Sequence, residues 1–324
     1  MATTKKSTTR KSTTKAKAKK KSTRVKKSVS AKTTKKTTSK KTTKKAAAKT
    51  TKKTTATKKT PAKKQGAKGI FEKLNIWNWG MAFLHAVQGV AVLILGESAR
   101  QSVTTSYLTT DPIASTEGAP VLVQATRTLF SVDLVYVVAA FFFMSAIAHL
   151  IIATSYRKRY ETDLKIGINR ARWIEYGISA STMMIGIAFL SGVSDLSTLL
   201  MIFGATLVMN LLGLVMEVHN QTTEKTNWLS YIVGTISGIL PWIVVGLYLW
   251  GANQYGEGDI PTFVYWIYGS IFVFFMSFAV NMYLQYKGKG RWSDYLYGER
   301  AYMILSLVAK SALAWQVFAG TLRP

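Results

Sequence analysis

Beyond residue 75 the chain reads as seven long apolar runs parted by polar breaks, at 77–95, 128–155, 163–192, 196–218, 228–250, 262–286 and 294–319. Each run supplies the roughly 20 residues that a helix needs to cross about 30 Å of hydrocarbon. Stretches such as VYVVAAFFFMSAIAHLIIA have no polar face, which excludes a soluble helical core. Trp77, Trp79, Trp228, Trp250 and Trp292 stand at run ends, where an indole suits the membrane interface. The pattern predicts an all-α membrane protein, a seven-transmembrane-helix bundle over residues 76–324. One break, 97–126, is long, and its SVTTSYLTTD favours a short β-hairpin on the outer surface that caps the bundle or meets a partner subunit.

The breaks also differ in charge. Those after the second, fourth and sixth runs, RKRYETDLKIGINRAR, NQTTEKTN and KGKGR, carry ten basic residues, whereas SGVSDL and GANQYGEGDI carry none. Lys and Arg collect on the cytoplasmic side, so the expected N-terminus is cytoplasmic and the C-terminus extracellular. A glycan on the NQT sequon at Asn220 would overturn that orientation.

Residues 1–68 hold 27 of the 43 Lys and Arg and no acid, leaving 16 basic against 15 acidic residues for everything after them. The net charge of +28 therefore belongs to the tail and says little about the bundle. A Lys/Thr-rich segment of this kind cannot bury a core, and residues 1–75 are expected to be a disordered cytoplasmic tail. Its lysines would attract anionic lipid at about 1 kcal/mol each, or nucleic acid, and phosphorylation of its Ser and Thr would cancel charge.

Cysteine is absent, which removes disulfides and thiolate sites. The chain has three histidines and no H-E-x-x-H, G-x-S-x-G or phosphate-binding glycine loop. Enzymatic chemistry finds no support, and no metal site is expected.

One residue breaks the apolar pattern of the last run. Lys310 stands in YMILSLVAKSALAWQVFAGTL, ten residues past Arg300 and thirteen before Arg323. About 15 Å or more of helix separates it from either charged flank, too far to snorkel. A free ammonium there costs about 3 kcal/mol or more. It must be neutral, paired with a buried carboxylate, or consumed as an imine, since lysine is the side chain that condenses with an aldehyde.

The third run offers a partner. Glu175 lies well inside NRARWIEYGISASTMMIGIAFL if its helix starts near Asp163, with Ser179 and Thr182 on the same face. Arg172, one turn earlier, would hold Glu175 ionised if close to it, and the plainer alternative is that Glu175 pairs with Arg172 alone.

Seven helices, the lysine in SLVAKSALAWQ, and an Arg-aromatic-x-carboxylate run in the third helix resemble a microbial rhodopsin. LHAVQG in the first helix, the histidine in SAIAHL, RWIEY, the long first loop and the inverted orientation narrow the resemblance to the heliorhodopsins, over about residues 75–320. The resemblance implies covalent all-trans retinal as a protonated Schiff base on Lys310, with Glu175 as counterion. Ser145, Ser179 and Ser306 would lie near the Schiff base, and His85, Gln88 and His149 would line a polar cavity on its cytoplasmic side, joined by Asn210 as a polar group within the bundle. Met209, Trp242 and Phe278 would wall the retinal pocket. A second carboxylate further along the third helix, usual in pumps, is replaced by Met183, Met184 and Phe189, which speaks against pumping. The resemblance also implies a homodimer, and Gly234 to Gly238 in the fifth helix would supply part of its interface or serve internal packing.

Asp133, about five residues into the second run, and Glu217, near the end of the fourth, are either solvated end residues or, if both face inward, complete a broken polar line with Arg172, Glu175 and Lys310. The reading is a light-sensing retinal protein that signals to a partner, with two rivals. One is a light-gated proton or ion path using Asp133 and Glu217, and the other a retinal-free transporter.

Overall fold

The computed structural model describes residues 62–116 and 118–323, with side chains from Gly69 onward. The expectations for residues 1–61 lie outside the described residues. In chain order the elements are α1 (Ala62–Leu95), β1 (Arg100–Thr110), β2 (Leu122–Asp133), α2 (Leu134–Ala153), α3 (Arg157–Lys165), α4 (Arg170–Leu190), α5 (Leu196–His219), α6 (Leu229–Tyr255), α7 (Thr262–Lys287) and α8 (Tyr295–Val317). Seven of the helices, all but the short α3, are long and apolar enough to cross a bilayer.

The crossing helices close on one another in sequence order. α1 packs on α2, α2 on α4, α4 on α5, α5 on α6, and α8 returns to α7 and α1. Aromatic contacts join α6 to α7, where the Trp242 ring meets Tyr268, Phe272 and Phe275 at centroid distances of 5.3 to 5.7 Å. Starts are fixed by side-chain caps: Asp133 accepts from Val135 N–H, Asn169 from Arg172, Asp195 from Thr198 and Asp294 from Leu296.

Four expectations about boundaries are corrected. The tail does not end at 75, because α1 begins at Ala62 and Leu74 packs with Tyr160 and Leu164. The second helix does not begin at 128. LVQATRTLFSVD is the strand β2, pairing antiparallel with β1 from Arg100↔Asp133 to Thr110↔Leu122, so the hairpin is long where a short one was expected. Asp133 is accordingly the cap of α2 and not a residue five positions inside it. The third run is two helices, since the chain breaks after Lys165, takes a positive φ of 73° at Gly167 and restarts at the Asn169 cap.

The hairpin is pinned to the bundle. Thr104 N–H donates to Ser194 O at 2.9 Å beside a bulge at Val103 and Thr104, and Glu97 N–H donates to Leu322 O at 2.7 Å. At this end, Val92, Leu134, Phe141, Phe142, Ile187, Leu313 and Val317 form the main apolar core.

Candidate functional site

Lys310 is 2% exposed on α8, and the groups around it come from three helices. Its Nζ donates to Ser306 Oγ, one turn earlier, at 2.7 Å and lies 3.2 Å from Glu175 Oε1. The same carboxylate oxygen accepts from Ser179 Oγ at 2.7 Å and from Ser145 Oγ of α2 at 2.5 Å. Three donors on one oxygen fix Glu175 as an acceptor and fix its direction. Thr182 does not join them. Its hydroxyl donates to Ile178 O.

The later start of α4 puts Glu175 in its second turn, yet the residue still faces Lys310, because α2 and α8 bring Ser145, Ser306 and Lys310 to that level. Arg172 does not hold Glu175. Its guanidinium reaches Glu217 of α5 through Nη2 and Glu299 of α8 through Nη1, all buried. Sequence reading missed Glu299, and with it Asn169, whose amide donates to Glu299 Oε2 at 2.6 Å.

Two cavities meet near this pair. The larger, about 130 Å³, runs between α4, α5, α6, α7 and α8 with Lys310 and Ser306 on its wall, alongside Met209, Trp242, Phe275 and Phe278. Gly238 lets α6 pack closely beside Met209 and Phe275, since a Cβ there would collide with Met209 Sδ and stand 2.8 Å from the Phe275 ring. A Cβ at Gly234 would meet Leu212 and the Met209 carbonyl, so both glycines of GTISG make close contacts within the chain.

The smaller cavity, about 20 Å³, lies toward the tail end of the bundle and is polar. Asn78, His149, Tyr160, Asn169, Arg172, Glu175 and Glu299 line it. His149 Nδ1 lies 2.8 Å from Asn78 Oδ1, while Asn78 Nδ2 donates to Leu74 O at 3.0 Å. That amide orientation makes Oδ1 the acceptor and His149 Nδ1 the donor, which leaves Nε2 with a lone pair. His85 is fully buried behind it, the two rings stacked at 5.8 Å, with no hydrogen-bond partner on either nitrogen. Of the four residues expected at this cavity only His149 lines it, with His85 behind it and the other two elsewhere. Gln88 accepts from Trp315 Nε1 at 3.1 Å on the outside of α1 and α8, and Asn210 lines the larger cavity with its Nδ2 donating to Thr206 O.

Asp133 and Glu217 do not continue a polar line through the bundle. Asp133 is bound by Ser98 Oγ and by Ala99 N–H at 3.0 Å at the hairpin base, and Phe141, Phe142, Ile187 and Leu313 fill the core of that half. Among the described residues no group of three or more His, Cys, Asp or Glu is arranged to hold a metal ion.

No curated protein matches the chain. Among solved structures, a light-driven proton pump from Leptosphaeria maculans shares the fold, with a TM-score of 0.52, 15% identity, and coverage of 76% of this chain and 94% of the pump. A family model described as Heliorhodopsin matches residues 74–322, a span that takes in Lys310, Glu175, both cavities and the hairpin. The chain belongs to the heliorhodopsins, a family of non-enzymatic photoreceptors built on a retinal chromophore.

Proposed function

We propose that this protein is a light sensor carrying all-trans retinal on Lys310 as a protonated Schiff base, with Glu175 as the counterion. One observation carries the reading: a buried amine borders an apolar cavity of about 130 Å³ and lies 3.2 Å from a carboxylate. The residues present fit the group, because the slot has aromatic and methionine walls from Met209, Trp242, Phe275 and Phe278 with the amine at its side. Bound there, retinal supplies visible absorption and a light-driven change of shape.

The chain's own residues supply the control. Glu175 offsets the charge at Nζ, and the Ser145 and Ser179 hydroxyls keep its oxygen aimed. Ser306 accepts from Nζ and holds the lysine head in place. When the ion pair is disturbed, His149 offers a free Nε2 lone pair in the polar cavity that Glu175 also lines. A proton leaving Nζ goes to that side, with His85 behind His149, and helix packing shifts between two states.

The sidedness of the buried ionisable groups supports signalling over conduction. Glu217, Glu299, Arg172, Asp163 and both buried histidines lie from Lys310 toward the tail end, and an apolar core fills the hairpin end. The basic breaks favour that tail end as cytoplasmic, the face where a signalling partner would read the change. A homodimer belongs to the same proposal.

The test is colour. Expressed with all-trans retinal, the wild type should form a visible pigment and Lys310→Ala should not. A colourless wild type would sink the reading and leave the retinal-free transporter, and a coloured Lys310→Ala would sink the attachment at Lys310. Under voltage clamp no sustained photocurrent is expected. A photocurrent that Asp133→Asn or Glu217→Gln abolishes would establish the conducting rival instead.

A further inference from the structure

The retinal reading makes no use of the buried cluster around Arg172. One guanidinium there faces two carboxylates, Glu217 of α5 and Glu299 of α8, and the three residues are 6%, 1% and 1% exposed. With both acids ionised the cluster carries a surplus negative charge away from water, which is costly. One bound proton removes it. The hydrogen bonds decide which acid can take it.

Glu299 cannot take the proton without losing a bond. Its Oε1 faces Arg172 Nη1, and its Oε2 accepts from Asn169 Nδ2 at 2.6 Å. Asn169 is not free to turn, because its Oδ1 caps α4 by accepting from Arg172 N–H at 3.0 Å. Both hydrogen-bond partners of Glu299 are therefore obligate donors, and an O–H aimed at either would point at another donor; the Tyr295 phenol lies near this carboxylate too but makes its hydrogen bond to Glu217.

Glu217 differs in one partner. Its Oε2 accepts from Asn169 N–H at 2.8 Å, and its Oε1 faces Arg172 Nη2 and the Tyr295 hydroxyl, the latter at 3.2 Å. A phenol both donates and accepts, so rotation about the C–O bond of Tyr295 turns a donor into an acceptor. We propose that Glu217 is a proton-exchange site, binding one proton from solution as an O–H donated to Tyr295 Oη while Glu299 stays ionised on Arg172.

The other titratable groups around it are Tyr302 on α8 and Tyr286 on α7, with Tyr160, His149 and Glu175 across the polar cavity from Glu299. Binding the proton takes the cluster from one negative charge to none and leaves Arg172 held by α8 more than by α5. The site is thus a switch for the α4–α5 contact. It needs only side chains of this chain and stands apart from the retinal reading.

The test is infrared titration of the full-length protein in phosphatidylcholine vesicles, with and without retinal. The wild type minus Glu217→Gln difference should show a carboxylic C=O band that grows as pH falls, in both preparations. Tyr295→Phe should move that band to higher frequency, because the O–H loses its acceptor, a shift that a merely structural role for Tyr295 would not produce. No titrating band in the difference, or a band whose frequency ignores Tyr295→Phe, would overturn the proposal. A protein that shows the band but forms no pigment would fail the retinal reading while keeping this one.

Discussion

The two halves of the bundle are built from different chemistry. In the hairpin half, Leu134, Phe141 and Phe142 are fully buried and Ile187 and Leu313 nearly so. The buried hydroxyl there, Ser191, turns back onto the Ile187 carbonyl of its own helix. In the tail half, Asn78, His149, Asn169, Arg172, Glu217 and Glu299 are all buried, and they bond one another across α1, α2, α4, α5 and α8. A polar group without water needs a partner, so charges are cheapest where they are gathered. Gathering them leaves the other half free to be sealed by packing. Lys310 and Glu175 sit where the two regions meet.

The comparison is broken most directly at Arg172. Arg172→Leu strands two buried carboxylates, and removing one side of a buried ionic set typically costs about 3–5 kcal/mol. Thermal unfolding in detergent should fall steeply, and adding Glu217→Gln and Glu299→Gln to the same chain should recover much of the loss. A single variant as stable as the wild type would mean that the tail-half charges do not hold the helices together. Next in size is Glu175→Gln, which leaves the charge at Nζ without its counterion and should move the pigment to longer wavelength. An unchanged visible spectrum would remove Glu175 from that role.

Lys310 and Glu175 were legible in the sequence because each is a charge inside an otherwise apolar run, where a partner is obligatory. Glu299 was not. It stands beside Arg300 at the edge of the last run, where composition alone reads as a solvated boundary, and only the approach of α4 and α5 buries it. The start of α2 was misread for a related reason. LVQATRTLFSVD is apolar enough to extend the run, and strand pairing with β1 is a long-range fact that the run's own residues do not contain. The break before Asn169 did leave a local trace, in a glycine followed two residues later by a capping asparagine. Arg172 was misassigned because helical spacing puts it one turn from Glu175, whereas its long side chain runs along the helix to carboxylates on other elements.

Smaller substitutions sharpen the contrast between the halves. Ile187→Val in the sealed half removes one methylene from a residue 2% exposed and should cost about 0.5–1.5 kcal/mol, leaving the colour in place. A spectral shift comparable with that of Glu175→Gln would mean that packing in the hairpin half reaches the chromophore as strongly as charge does.

The smallest effect is expected at Asp133, and its pH dependence distinguishes a cap from a conduction site. Burial works against the ionised form of this carboxyl. The Ser98 hydroxyl, the Ala99 and Val135 amides and nearby Arg100 outweigh it, holding the group below its ordinary 3.8. A group whose folded value lies below its unfolded value adds stability above the unfolded value, and that contribution is lost as pH falls through the folded one. Asp133→Asn keeps a capping oxygen and loses only the charge, so at neutral pH it should cost less than the roughly 1 kcal/mol typical of a lost cap. The gap from wild type in thermal midpoint should close as pH is lowered below about 4, where the wild-type carboxyl also loses its charge. Pigment colour and light response should not follow the substitution at any pH. A gap independent of pH would deny the charge a part in the cap, and a changed light response would reopen the hairpin half as a path for protons.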